Sequence, residues 1–270
     1  MSSVDGVGPK LSLDADLIRI DGHLLDVRVI GDGAAAPSLV FLHEGLGSIE
    51  LWRSFPTDVV KAVGERAVVY SRYGHGWSDV QTDRPIDFMD HEADVLAEVI
   101  EAADVVDPIL IGHSDGASIA LLHASRYPVT GLVLLAPHVF TEPMGLAEIA
   151  KFSAGIEGTD VIDRMAKYHR DPLATMTAWS NVWNDPDFVA WNIEAALPDI
   201  TCPMLLIQGR EDQYGTLAQI DAVASQVSGD VETLILDDCR HSPHLDRPTE
   251  TTAATTAFVA SVRDRPSSGI

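Results

Sequence analysis

Residues 108–128 read PILIGHSDGASIALLHASRYP. Pro108–His113 is short and almost wholly apolar, as expected of a strand buried on both faces. Ala117–Arg126 reads as a helix, ended by Tyr127-Pro128. Between them lies Gly112-His113-Ser114-Asp115-Gly116, a GxSxG pattern at a strand-to-helix junction. Such a junction forces the serine into a strained turn and projects its hydroxyl at the carboxyl edge of a sheet, while the glycines allow close backbone approach. The N–H of Asp115, at the start of the helix, is then placed to stabilise an oxyanion. The plainer alternative is that Ser114 caps an ordinary helix.

The rest of the chain repeats the same alternation. Residues 16–20 and 23–30 read as two strands around Asp21-Gly22, a hairpin signal. Ser38–His43, Arg66–Ser71, Thr130–Ala136 and Cys202–Gly209 are further buried strands, and 231–236 reads as a strand. Helices are predicted over 90–104, 216–228 and 247–263. Alternating strands and helices give an α/β fold with a mostly parallel central sheet flanked by helices. From 141 to 198 no strand is visible, and the segment looks helical and rich in tryptophan. Residues 1–140 and 199–270 then form a core, with 141–198 inserted between two core strands.

Composition narrows the function. The 270 residues include 41 Asp plus Glu against 18 Lys plus Arg, a formal charge of −23. Such a surface repels nucleic acid and anionic membranes, so neither is expected as a partner. High-salt adaptation and a GC-rich genome explain this acidity equally well. No apolar run reaches membrane-spanning length, and MSSVDGVGPK lacks the features of a signal peptide. The two cysteines, Cys202 and Cys239, are not in metal-ligand spacing, so no metal is expected and a reduced, cytoplasmic setting fits.

A serine is a weak nucleophile until a base takes its proton. Asp212 lies just past the strand ending at Gly209, and His241 follows strand 231–236. Each read alone is bland, a helix cap and a loop histidine. Together they follow Ser114 in the order Ser…Asp…His, each just beyond a strand's carboxyl end.

These motifs resemble the α/β-hydrolase fold family over essentially the whole chain. The resemblance is carried by His43-Glu44-Gly45-Leu46-Gly47-Ser48, by Ser71-Arg72-Tyr73-Gly74-His75-Gly76-Trp77-Ser78, by 112–116 and by 239–248. It implies Ser114 as nucleophile, Asp212 as acid and His241 as base. It also implies Gly45 (or Leu46, one residue on) as the second oxyanion donor beside Asp115, and a helical cap over 141–198. No cofactor is implied. Three positions depart from the family pattern: Glu44 stands where glycine is usual, Ser71 replaces an aspartate, and Asp115 adds a second acid beside the nucleophile. Two carboxylates there oppose an oxyanion unless a cation compensates. Arg72 is the candidate, and Glu44 is expected to pair with it.

Among the other histidines, His138 follows the strand before the insertion and is expected to line the pocket. His43 is expected to bridge loops, and His23, His91, His123 and His169 to pack or face solvent. Trp179, Trp183 and Trp191 form a helical stripe that packs in part and in part faces the substrate. The expected reaction is hydrolysis of a small carboxylic ester, thioester or lactone through an acyl-enzyme. Carbon–carbon bond hydrolysis as in aromatic catabolism, a cofactor-free dioxygenase and a non-catalytic ligand receptor of the same fold are the alternatives. The only expected partner is a small-molecule substrate, and the oligomeric state is left open.

Overall fold

The computed structural model describes residues 17–156 and 158–265. Eight strands form one sheet: β1 (Leu17–Ile20), β2 (His23–Ile30), β3 (Leu39–Leu42), β4 (Ala67–Ser71), β5 (Ile109–His113), β6 (Gly131–Leu135), β7 (Met204–Gly209) and β8 (Val231–Leu236). Their order is β1-β2-β4-β3-β5-β6-β7-β8. The β1–β2 and β2–β4 pairs are antiparallel, and every later pairing is parallel. Asp21 and Gly22 close the β1–β2 hairpin with φ of 43° and 82°. A two-residue turn whose twist matches the strands needs such positive φ. Asp16, the first residue of the predicted strand 16–20, and the stretch MSSVDGVGPK lie outside the described residues.

Alternation along the buried strands divides the core between two faces. Phe41, Val69, Ile109, Ile111, Val133 and Leu205 pack under α1 (Phe55–Val63) and the long helix Pro248–Arg263. Val40, Leu42, Val68, Leu110, Leu134 and Leu206 pack under α2 (Phe88–Ala102), α3 (Asp115–Ala124) and α7 (Ala218–Gln226). Helix α1 is not among the predicted helices, although Ser54 before Phe55-Pro56 is an ordinary helix-start signal.

Strands β6 and β7 are hydrogen-bonded neighbours, yet the chain between them runs through three α-helices and two 3-10 helices. These are α4 (Pro143–Ala154), α5 (Val161–Met165) and α6 (Pro172–Trp183), followed by Pro186–Ala190 and Glu194–Asp199. One isolated bridge, Phe140 to Asn192, closes the base of this excursion. The predicted tryptophan stripe is shorter than read. Trp179 and Trp183 lie on α6, but Asp185-Pro186 ends the helical path and starts a 3-10 turn capped by the Asp185 side chain. Trp191 follows that turn and stacks on Phe188.

The register brings the carboxyl ends of four strands to one edge, those of β7 and β8 two residues beyond those of β5 and β6. His113 is opposite Leu135, Leu135 is opposite Ile207, and Gly209 is opposite Leu236. Ser114, Asp212 and His241 therefore leave the sheet at one edge.

Candidate active site

Ser114 has φ of 53° and ψ of −119°. An L-residue pays for that conformation in strain, and it persists only where neighbours hold it. Its N–H donates to Leu135 O at 2.9 Å, and its carbonyl takes the N–H groups of Ala117 and Ser118. The flanking glycines let α3 come this close. A Cβ at Gly112 would lie 2.7 Å from Ala117 N, and one at Gly116 would overlap the Leu42 carbonyl. The Ser114 hydroxyl makes no capping bond to its own helix.

It turns to His241 instead. His241 Nε2 lies 2.9 Å from Ser114 Oγ, and Nδ1 lies 2.8 Å from Asp212 Oδ2. A carboxylate at Nδ1 requires the proton there, which leaves Nε2 as acceptor for the serine O–H. Asp212 is itself held, accepting from Tyr214 N at 2.8 Å and Gln208 Nε2 at 2.9 Å. Burial works to raise its carboxyl, but His241 and the Tyr214 N–H outweigh burial and hold it below its ordinary value. The loop carrying the imidazole is anchored by His113 Nε2, which donates to the His241 carbonyl at 2.7 Å. Gly209 gives that loop room, since a Cβ there would overlap the carbonyls of Cys239 and Arg240.

Residues 44–47 form a turn closed by Gly47 N donating to Glu44 O at 3.0 Å. Within it, the Gly45 and Leu46 N–H groups donate to no acceptor among the described residues, and nor does that of Asp115. The carbonyls of Glu44, Gly45 and Leu46, by contrast, are held. Glu44 O accepts from His43 Nδ1 at 2.7 Å and Arg72 Nη2 at 3.1 Å. Gly45 O accepts from His75 Nε2 at 2.9 Å, and Leu46 O from His169 Nε2 at 3.1 Å. A planar trans peptide points its C=O and following N–H in opposite directions. Holding the Glu44 and Gly45 carbonyls outside the site therefore directs the Gly45 and Leu46 N–H groups the other way.

The predicted Glu44–Arg72 side-chain pair does not form. Arg72 takes the Glu44 carbonyl and lies 3.7 Å from the Asp115 carboxylate, both side chains being buried. The Glu44 carboxylate turns under Gly47 and faces His113 Nδ1 at 3.6 Å. Burial works to raise Glu44, but its contact with His113 outweighs burial and holds the carboxyl well below its ordinary value. Asp115 is raised by burial, with Arg72 and then Arg84 opposing. Arg72→Met leaves Asp115 buried without its partner. The expected loss is about 3–5 kcal/mol of stability, partly recovered by adding Asp115→Asn. Urea denaturation measures it, and a loss under about 1 kcal/mol would contradict the pairing.

A cavity of about 140 Å³ opens over Ser114 and His241. Glu44, Gly45 and Asp115 border it, as do His138, Trp179 and Trp183. All the residues predicted for the site are thus brought together. Trp179 lies so close to Gly45 that a Cβ there would overlap its indole. Burial, with His241 next, pushes His138 down to about 4, so it stands neutral in the wall. His244 is a different case. It packs against Trp52, Phe55 and His113, and burial pushes it down to about 3.

Six histidines share this depression: His43, His75, His123, His138, His169 and His244, each chiefly through burial. Below about pH 6.5 the unfolded chain protonates them while the folded chain does not. Their contribution is fully present above that pH and is lost as the pH falls below it toward their lowered folded values. Asp26, Glu92 and Asp115, raised by burial, soften the loss. The urea midpoint should fall between pH 7.5 and 5, and a constant or rising midpoint would contradict these protonation states.

The chain matches the Alpha/beta hydrolase family over residues 39–255. It is 27% identical to monoglyceride lipase of Mus musculus over 220 residues, covering 73% of this chain and 72% of that one. It is 23% identical to a proline iminopeptidase of Lactobacillus helveticus over 177 residues, covering 63% and 56%. The enol-lactonase from Burkholderia xenovorans LB400 superposes with a TM-score of 0.71 at 18% identity, covering 90% of this chain and 99% of that one, a likeness of fold. No helix among the described residues is long and apolar enough to cross a membrane. The family match spans well over half the sequence and takes in the serine elbow and the strand ends at one edge; the chain belongs to the alpha/beta hydrolase family.

Proposed function

We propose that this hydrolase cleaves a small carboxylic ester, thioester or lactone through an acyl-enzyme on Ser114. The observation that carries the reading is the unbroken chain Ser114–His241–Asp212, with unpaired N–H groups of Gly45 and Asp115 beside it. Ser114 Oγ attacks the acyl carbon as its proton passes to His241 Nε2. Asp212 holds the imidazole and stabilises the imidazolium. The Gly45 and Asp115 N–H groups take the charge that develops on the carbonyl oxygen. His241 then protonates the departing oxygen or sulfur. A water, deprotonated by His241, releases the acid and restores Ser114, so one ester and one water give one acid and one alcohol.

Residues 141–198 act as the cap in this reading, supplying Ile149, Phe152, Trp179 and Trp183 to the cavity wall. Apolar walls and a small volume favour a compact acyl group. The carboxylates of Glu44 and Asp115 disfavour an anionic one, and neutral His138 offers one donor and one acceptor to a polar substituent. Names among the relatives, a monoglyceride lipase and an enol-lactonase, are in keeping with ester and lactone chemistry.

A chromogenic ester series from acetyl to dodecanoyl tests the reading. Turnover is expected for short acyl groups, with kcat/KM at least about tenfold lower for dodecanoyl. No turnover of esters, thioesters or lactones would overturn it.

A further inference from the structure

We infer that His169, from the helical segment between β6 and β7, is a positioning residue for the oxyanion turn. The inference rests on the reading of Gly45 as an oxyanion donor.

His169 sits between α5 and α6 and is only 2% exposed. Its two ring nitrogens have opposite tasks. Nδ1 accepts the Gly76 N–H at 3.1 Å, so Nε2 carries the proton and donates it to Leu46 O at 3.1 Å. The neighbouring residues grip the same loop. Arg170 N donates to Gly76 O at 2.7 Å, and Thr175 Oγ1 to Gly74 O at 2.5 Å. Residues 169–175 are thus docked on the 74–76 loop by three bonds, and His169 alone among them reaches on to the turn at 44–47.

The bond to Leu46 O acts through the peptide plane. It fixes the Leu46–Gly47 peptide so that the Gly47 N–H closes the turn on Glu44 O. That closure, with His43 and Arg72, holds the Glu44 carbonyl and hence the direction of the Gly45 N–H. His75 holds the Gly45 carbonyl from the core, but His169 comes from the segment that also supplies Trp179 and Trp183 to the cavity. The contact therefore ties that segment directly to the oxyanion turn.

The two bonds can be removed separately. Glutamine at 169 keeps a donor at the ε position for Leu46 O, whereas asparagine keeps an acceptor at the δ position for Gly76 N–H. Steady-state kinetics on an ester substrate and amide hydrogen exchange at Gly47, whose N–H closes the turn, are measured on full-length His169→Gln, His169→Asn and His169→Ala. Asparagine and alanine should lower kcat about tenfold with KM changed less than about twofold, and speed exchange in the turn. Glutamine should restore both. Because asparagine retains the loop anchor, it tests the inference even where alanine fails to fold. Equal behaviour of glutamine and alanine, or unchanged exchange in asparagine, would overturn it. Faster exchange with unchanged kcat would also overturn it, and would place the fault in the donor role of Gly45 rather than in the contact.

Discussion

Asp212→Asn is expected to lower kcat about 10³- to 10⁴-fold while the protein stays folded. The reason lies in who donates to whom. The carboxylate now accepts from His241 Nδ1, Tyr214 N and Gln208 Nε2 together. An asparagine has one acceptor oxygen and one donor nitrogen. Its oxygen stays on the Tyr214 N–H, and its NH₂ then faces His241 and Gln208. An NH₂ at Nδ1 forces the imidazole proton to Nε2, the wrong side for accepting from Ser114. Gln208 relieves its own donor–donor contact by turning its unpaired Oε1 inward, at the cost of its bond to Gly215 O. Steady-state kinetics with a melting curve separates the two effects. A loss below about tenfold in a folded variant would remove Asp212 from the reaction.

His241→Ala should cut kcat by about 10³-fold or more, and His244→Ala far less. Both histidines lie within four residues of each other, so the pair controls for general damage to the loop. Only His241 reaches Ser114 Oγ. His244 is buried at the start of the short helix Pro243–Asp246, edge-on to His113 and against Trp52. Its loss opens a cavity and costs stability, by about 1–3 kcal/mol, with little loss of rate in the folded fraction. The reverse ranking of rates would move the base to His244.

The readable parts of this protein were those written in local sequence. Strands β3 to β7 carry their burial on both faces as continuous, mostly apolar runs. The elbow shows as two glycines around a serine at a strand-to-helix boundary, and Asp212 and His241 follow strand ends that are themselves legible. What depended on the direction of a side chain was not legible. β3 and β4 are neighbours, so Glu44 and Arg72 were expected to meet, but adjacency fixes backbones and not rotamers. Arg72 instead reaches the Asp115 carboxylate, and Glu44 finds His113. His169 has no local signature at all. It lies 123 residues from Leu46 and meets it only because the helical segment folds back over the 74–76 loop. Two histidines expected to pack or face solvent divide in the same way: His91 is exposed, and His169 is buried in the turn's support.

In the proposed reaction Ser114 is an activated nucleophile. Incubation with a fluorophosphonate, followed by intact mass and peptide mapping, tests it without knowledge of the substrate. An activated serine attacks phosphorus as it attacks an acyl carbon. One phosphonyl adduct per chain is expected, located on Ser114, together with loss of esterase activity and no adduct on Ser114→Ala. A folded protein whose mass stays unchanged after long incubation, or an adduct on another residue with Ser114 free, would contradict it.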